Sequence, residues 1–279
     1  MKVVFTLKSA ESRRLLAKGV AAMEEVKQAK ESAYIILAGG TTNGYVAQEI
    51  LGTREFEPHL ATVGTSTNGV LCITDPDARK PFPNILHKGS PVDKTIPEAF
   101  QDFHKETIVI KGANAVDMEG NVGVITAGFD GGTIPRIIGT VTSQGLKYIT
   151  PVGLEKLVPS VKEAAAAVGA HRIDHSLGAD FGMYCITNSI VVTEIEALDI
   201  LFGVKATHVA SGGVGGNEGA VVLAVEGSEE AVERTIDFIE NEIKGEPAVF
   251  ANKGICKTCR YIRCRYQGRQ VDELPNWLK

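Results

Sequence analysis

At 279 residues, with 44% hydrophobic and 23% charged residues, the chain can bury a substantial core and has the composition of a folded α/β protein. Its formal net charge of −5 leaves no general basic field, so nucleic acid is not an expected partner. No apolar run approaches the ~20 residues that span a bilayer, and the first residues lack a signal peptide's apolar core. We therefore expect no membrane partner and a cytoplasmic location.

A glycine-rich turn at residues 39–44 is the most informative stretch. A short isoleucine-rich run at 34–38 precedes it and a helical pattern follows over 45–51, which is typical of a strand, a tight loop and a helix N-terminus. Such a loop, with hydroxyl and amide side chains beside unpaired N–H groups, binds phosphate or carboxylate. A plain strand-to-helix turn with an N-cap is the alternative. The candidate ligand-binding residues are Gly39, Gly40, Thr41, Thr42 and Asn43.

The chain up to residue 168 predicts alternating strands and helices. Strands are expected at 2–6, 34–38, 70–74, 107–110, 122–125 and 147–152, and helices from Ser9, after Gly44, and at 97–104, 134–141 and 160–168. The stretch 64–69 favours a hairpin or turn over ligand contacts, and 80–97, with four prolines, predicts a surface excursion.

Two further polar, glycine-bearing loops follow predicted strands. The first contains Asn114 and Asp117, and the second contains Gly131, Gly132 and Thr133. In open parallel sheets the carboxyl ends of the strands face the ligand crevice. We therefore expect these loops to converge on the glycine-rich turn and to orient the polar part of a ligand.

The C-terminal part predicts a smaller βαββα unit and a basic tail. Its strands are expected at 183–187, 206–210 and 220–225, and its helices at 193–202 and 228–243. The predicted organisation is an anion-binding core domain at 1–165, a smaller subdomain at 180–248 and a cysteine-containing tail at 249–279. The loop 211–219 lies between two strands, which excludes a dinucleotide fingerprint and leaves a lid, a binding loop or a long hairpin open.

The order of these loops resembles the superfamily that includes ribose-5-phosphate isomerase, glucosamine-6-phosphate deaminase, sugar-sensing repressor domains and CoA transferases. Residues 39–42 resemble its first phosphate loop, 112–117 followed by Asn121 resemble its Gly-Ala-Asp-Glu-Val-Asp segment, and Lys156 follows a strand much as a lysine does in the isomerases. Residues 152–159 are also similar to the lactate-utilisation (LUD) domain. The resemblance implies an α/β fold with a mostly parallel sheet sandwiched by helices, and a homo-oligomer.

Asp117 and Lys156 are the candidate catalytic residues, with a loop carboxylate and an exposed lysine as the alternatives. Where the isomerases carry an acidic pair the chain has Asn114 and Ala115, which cannot take a proton from a sugar carbon. The sequence therefore predicts binding of a small anionic metabolite, such as a sugar phosphate, an organic acid or a CoA ester, and leaves conversion open. A non-enzymatic sensor or an interaction protein is the alternative.

Three of the five cysteines lie in the tail, which favours reduced thiols over a disulfide framework. The spacing of Cys256 and Cys259, followed by Cys264, lets thiolates share one metal ion. The fourth ligand would be His, water, a distant Cys or a partner chain. Zinc is the expected metal and an iron–sulfur cluster the second choice, while a basic, redox-active tail without metal is the alternative.

Overall fold

The computed structural model describes residues 1–75, 77, 79, 82–127 and 131–279, with the side chain of residue 61 left out. The strands in this part are β1 (Lys2–Leu7), β2 (Tyr34–Leu37), β3 (Gly64–Thr67), β4 (Val70–Ile73), β5 (Ile85–His87), β6 (Ser90–Pro91), β7 (Ile108–Ile110), β8 (Ala115–Val116), β9 (Val122–Thr126), β10 (Lys147–Pro151), β11 (Gly182–Ile186), β12 (Ile190–Val192), β13 (Lys205–Gly212) and β14 (Ala220–Glu226). The helices are α1 (Ser9–Ala22), α2 (Glu24–Ser32), α3 (Thr41–Leu51), α4 (Ile96–Ala99), α5 (Thr133–Gln144), α6 (Val161–Ala167), α7 (Glu194–Phe202) and α8 (Glu229–Phe238).

The main sheet has six strands in the order β12-β10-β7-β2-β5-β6. The first four run parallel, and β5 and β6 complete the sheet in antiparallel pairing. This confirms the predicted α/β fold with a mostly parallel sheet. Because successive side chains of a strand point to opposite faces, β2 places Ile35 and Leu37 in one hydrophobic cluster and Ile36 in another. Both faces are therefore covered, as the apolar, β-branched strands require.

The strand pairing crosses the predicted boundary between a core domain at 1–165 and a subdomain at 180–248. β12 extends the main sheet beside β10, β11 pairs with β9, and β1 pairs along its whole length with β14. β1 alternates between exposed and more buried residues, and its inward-facing Val3 and Phe5 pack against the large hydrophobic cluster, while β14 and β13 complete its sheet. The two predicted units thus share their sheets and one large core.

Helix bounds differ from the predictions at two places that matter. The long N-terminal helix is interrupted at Met23, which has extended backbone between α1 and α2. α3 begins at Thr41 rather than after Gly44, so the two threonines and Asn43 form its first turn and Gly40 is its N-cap. Its end at Gly52, in the left-handed region with φ 66°, agrees with the sequence prediction.

The tail packs against a separate hairpin. β3 and β4 pair around a turn at Asn68 and Gly69, both with positive φ, so the hairpin expectation for 64–69 is confirmed. Residues 249–279 contain only two short 3₁₀ turns and share a small buried cluster with β4 (Val70, Tyr266, Leu274 and Leu278). Across the described ranges, no helix combines the length and apolarity needed to cross a membrane.

Candidate functional site

Four loops meet at the carboxyl edge of the parallel strands, in the spatial order of the sheet. Gly39 and Gly40 follow β2, Lys111 follows β7, residues 153–156 follow β10, and Thr193 and Glu194 follow β12. Parallel strands place the loops after them at one edge, which is where open α/β sheets bind ligands. Lys111 consequently lies between the glycine loop on one side and the 153–156 loop on the other.

The glycine loop presents the N-terminus of α3 to this edge. Gly40 has φ 146° and ψ 153°, a conformation that residues with a Cβ rarely adopt, and no side chain caps the helix. The hydroxyl oxygens of Thr41 and Thr62 are 2.6 Å apart, while Thr42 is buried in the first turn. The first-turn N–H groups lack intrahelical partners and favour an anion at this end of the helix.

Asn43 has a structural role that the sequence did not reveal. Its side chain is 1% exposed, and Nδ2 donates to the carbonyl oxygens of Ala38 and Ile110 at 2.5 and 2.8 Å. The amide therefore ties the end of β2 to the end of β7, rather than offering N–H groups to a ligand. Its Oδ1 atom has no hydrogen-bond partner in the part of the chain that the structure describes, and it lies near Gly112, where an added Cβ would be 3.9 Å away.

Lys111 is a partly buried cation beside the glycine loop. Its Nζ donates to the carbonyl oxygen of Gly39 at 3.2 Å, and a Cβ added at Gly40 would lie 3.9 Å from Nζ. Among the described residues, no carboxylate forms an ion pair with it. Burial lowers the pKa of Lys111 to about 8, and the positive charge of Lys156 contributes to the same shift.

Lys156, a predicted catalytic residue, lies at the same edge in a 3₁₀ turn. Its Nζ is 3.6 Å from Glu155, whose carboxylate also pairs with Arg13 at 3.1 Å and accepts a hydrogen bond from the Ser9 hydroxyl. Burial lowers the pKa of Lys156 although the Glu155 carboxylate raises it. In the described structure, Lys156 and Arg13 thus share the Glu155 carboxylate, and Lys111 lies near enough to Lys156 for their charges to interact.

Glu194 supports the loop that carries Lys156. It is fully buried at the start of α7, accepts a hydrogen bond from the Ser12 hydroxyl, and accepts another from the Leu154 N–H at 2.9 Å. Burial raises its pKa, against the hydrogen bonds that lower it. A Cβ at Gly153 would lie 3.1 Å from the Glu194 carboxylate, so a residue with a Cβ would require the carboxylate or the loop to shift slightly.

Asp117, the other predicted catalytic residue, is engaged by a turn and a helix. Its carboxylate accepts backbone hydrogen bonds from Glu119, Asn121 and Val161 at 2.9 to 3.1 Å, and the Asn121 side-chain amide donates to both oxygens. Burial opposes its charge, but these hydrogen bonds outweigh it and lower the pKa. The carboxylate joins the 117–121 turn to the start of α6, which leaves it poorly suited to act as a base.

The remaining predicted ligand contacts are less informative. Asn114 is exposed, and its Oδ1 accepts a hydrogen bond from the Ile125 N–H at 3.0 Å. Thr133 is the first residue of α5, Gly132 is its N-cap and Gly131 precedes it, and this helix follows β9 of the smaller β11-β9-β8 sheet instead of a strand of the main sheet. Residues 128–130 of the same predicted loop lie outside the described residues.

The loop at residues 211–219, between β13 and β14, reaches this edge. A Cβ at Gly219 would lie 2.9 Å from the Glu155 carboxylate and 3.1 Å from the Ser9 hydroxyl. The loop is exposed and is held by its own contacts, including the Gly216 N–H to the Glu218 carboxylate at 2.9 Å. Its position fits a rim of the site, which favours the binding-loop alternative over a remote hairpin.

Cys256, Cys259 and Cys264 are all half-buried free thiols of the tail. Throughout the described ranges, no group of three or more His, Cys, Asp or Glu side chains is already arranged to hold a metal ion. Two surface depressions of about 410 and 550 Å³ lie elsewhere, one against the tail and one against the segment 82–94, and neither includes Lys111 or Lys156.

Sequence reasoning missed Lys111, Arg13 and Glu194. Lys111 had a local signal, since a charged residue directly after a fully buried strand must find a partner at the strand end. No protein-family model, curated protein or solved structure matches the chain. The resemblance to the isomerase and CoA-transferase superfamily thus stays a prediction.

Proposed function

We propose that the chain binds a small anionic metabolite between the glycine loop and the amines of Lys111 and Lys156. The observation that carries the proposal is Lys111, a partly buried ammonium that has no carboxylate partner in the described structure and interacts with a second lysine. Two neighbouring cations at a partly desolvated edge repel each other. An anion placed between them would supply the missing charge and repay part of the desolvation cost.

The ligand class follows from the donors around this position. The ammonium groups and the first-turn N–H groups of α3 are suited to phosphate or carboxylate oxygens. Sugar phosphates, short organic acids and CoA esters all present such a group. The rim formed by the loop ending at Gly219 would contact the remainder of the molecule.

Conversion of the ligand is the second part of the proposal. With a pKa of about 8 in the ligand-free protein, Lys111 is partly neutral near pH 7.5, and this neutral fraction can accept a proton from a molecule that binds next to it. A sensor that binds the same anion without turnover is the alternative. The two differ in one observable: an enzyme changes the ligand in a Lys111-dependent way, whereas a sensor returns it unchanged.

The binding proposal is tested by thermal shift with a panel of sugar phosphates, mono- and dicarboxylates and CoA esters. Lys111→Gln and Lys156→Gln remove one cation each, and we expect at least one panel member to stabilise wild type and to lose most of that effect in both variants. Lys162→Gln is the matched control, because Lys162 lies on α6, is exposed and pairs with Glu119.

Two outcomes would refute binding at this edge: no anion stabilises the protein, or both lysine variants respond as wild type does. For conversion, each stabilising compound is incubated with protein and analysed by mass spectrometry and NMR. An unchanged compound would favour the sensor.

A further inference from the structure

The fold gathers four of the five cysteines, although the sequence places only three of them together. Cys72 lies on β4 of the hairpin, nearly two hundred residues before the tail. Cys72, Cys256 and Cys264 pack against the same small cluster that holds the tail on the hairpin. The thiol of Cys259 interacts electrostatically with all three.

Backbone contacts fix this arrangement. Thr74, next to β4, forms a β-bridge with Lys253, and the Gly254 N–H donates to the Ile73 carbonyl oxygen at 2.7 Å. The tail then folds back on itself, because the N–H groups of Cys259 and Gly268 both donate to the Cys256 carbonyl oxygen, at 3.1 and 2.8 Å. The cysteine pair of the tail is thereby held beside the strand that carries Cys72.

Two of the four sulfur atoms accept a hydrogen bond from an N–H donor. The Tyr266 N–H lies 3.4 Å from Cys264 Sγ, and the Lys253 ammonium lies 3.6 Å from Cys256 Sγ. Burial raises the pKa of Cys72 and of Cys259, and the nearby backbone N–H groups of Gly254 and Tyr261, respectively, oppose that rise without outweighing it. Donors of this kind stabilise sulfur in its thiolate form, which is the form that binds metal.

The fifth cysteine shows the contrast. Cys185 lies on β11, where burial and the Asp117 carboxylate raise its pKa, and only the distant charge of Lys162 lowers it. Neither a hydrogen-bond donor nor a second thiol is among the groups that shift it. The donors to sulfur therefore belong to the cluster rather than to cysteines of this chain in general.

The buried cluster that the hairpin shares with the tail is small. An isolated two-stranded hairpin is marginally stable, and segments with few buried residues are commonly held by disulfides or a metal ion. Here four buried side chains form the cluster that the hairpin shares with a 31-residue tail without strands, and backbone hydrogen bonds to Ser176 and an ion pair between Arg263 and Asp180 add to it. The disulfide alternative does not apply, since all five cysteines are free thiols.

We propose that Cys72, Cys256, Cys259 and Cys264 form a tetrathiolate site for one zinc ion, in which the hairpin supplies the fourth ligand that the tail lacks. Binding releases one proton from each thiol that is protonated beforehand, and leaves a net charge of −2 on the site. Nearby cations offset this charge (Lys253, Lys257, Arg260, Arg263 and Arg265). The thiols are gathered but not yet arranged around one point, so their side chains must rotate to converge on the ion.

The test uses the full chain, purified without chelator and in the presence of a reductant, with zinc, iron and sulfide measured per chain. Cys72→Ser is compared with Cys185→Ser, which removes the one cysteine outside the cluster. We expect about one zinc ion per chain in wild type and in Cys185→Ser, and at least a fivefold loss in Cys72→Ser.

A second measurement needs no variant and covers the case in which Cys72→Ser fails to fold. Native wild type, with and without one equivalent of added Zn²⁺ after chelation, is alkylated briefly and mapped by peptide mass spectrometry. Zinc should protect the Cys72 peptide together with the three tail cysteines, and should leave Cys185 unchanged.

Three results would overturn the proposal. The first is that Cys72 does not belong to the site, shown either by zinc that protects the tail cysteines from alkylation but not Cys72, or by a folded Cys72→Ser protein that keeps its full zinc content. The second is iron and sulfide in place of zinc, and the third is wild type that neither contains nor takes up zinc.

Discussion

Replacing Lys111 with methionine should make the ligand-free protein more stable while it abolishes anion binding. Methionine keeps the length and apolar stem of lysine but removes the charge that burial disfavours. A pKa lowered from the ordinary 10.5 to about 8 corresponds to roughly 3 kcal/mol of unfavourable free energy for the charged amine at neutral pH, at ~1.4 kcal/mol per pKa unit. Because the side chain is not fully excluded from solvent, about 1–3 kcal/mol is the expected gain.

The pH dependence has a definite sign. The folded-state pKa of Lys111 lies below the unfolded value, so the unfolded chain binds the proton more tightly. The penalty is fully present below about pH 8 and is relieved as the pH rises from about 8 towards 10.5. The advantage of Lys111→Met over wild type should therefore be largest at pH 7 and should shrink by pH 9.5.

Urea unfolding at pH 7 and pH 9.5 measures both quantities, and thermal unfolding at pH 7 should show a rise of about 2–6 °C for a chain of this length. Lys162→Met is the control, because its exposed amine pairs with Glu119 and its loss should change stability by less than about 0.5 kcal/mol. A Lys111→Met protein that is less stable than wild type at pH 7, or whose advantage does not change with pH, would refute the reasoning.

Asn43→Ala, with Thr41→Val for comparison, and Asp117→Asn test the structural roles of Asn43 and Asp117. Asn43→Ala should destabilise the fold by about 2 kcal/mol in urea unfolding, because two buried carbonyl oxygens lose a donor. Thr41→Val should cost less than about 1 kcal/mol. Equal losses of stability in the two variants would contradict the structural role of Asn43. Asp117→Asn should cost about 2 kcal/mol at pH 7 through the loss of carboxylate hydrogen bonds. Because folding lowers the pKa of Asp117, its contribution to stability is present above the unfolded-state pKa and is lost as the pH falls through the folded-state pKa. The free energies of unfolding of Asp117→Asn and wild type should therefore converge in acid. A difference that stays constant with pH would argue against this role of the carboxylate.

The sequence by itself determined most of the local structure. The isoleucine-rich run before Gly39 forms a buried strand, Gly52 ends α3, and Ser228 caps α8, because each depends on the conformational preferences and hydrogen bonds of residues within one or two turns. The α/β class followed from the alternation of such elements. The three-residue strand β12 was missed because so short an apolar run carries no usable periodicity.

Only the tertiary structure decided what each polar side chain does. Asn43 and Asp117 have the residue types of a ligand site, yet the ends of β2 and β7 and the start of α6 take up their hydrogen bonds. Lys111 and Lys156 are 45 positions apart and become neighbours because β7 and β10 are adjacent parallel strands. Cys72 joins the tail by the same kind of long-range packing. Local patterns determine the backbone conformation of a segment. The hydrogen-bond or charge partner of a buried polar group depends instead on which distant segments pack around it, and residue spacing in the sequence does not show which segments these are.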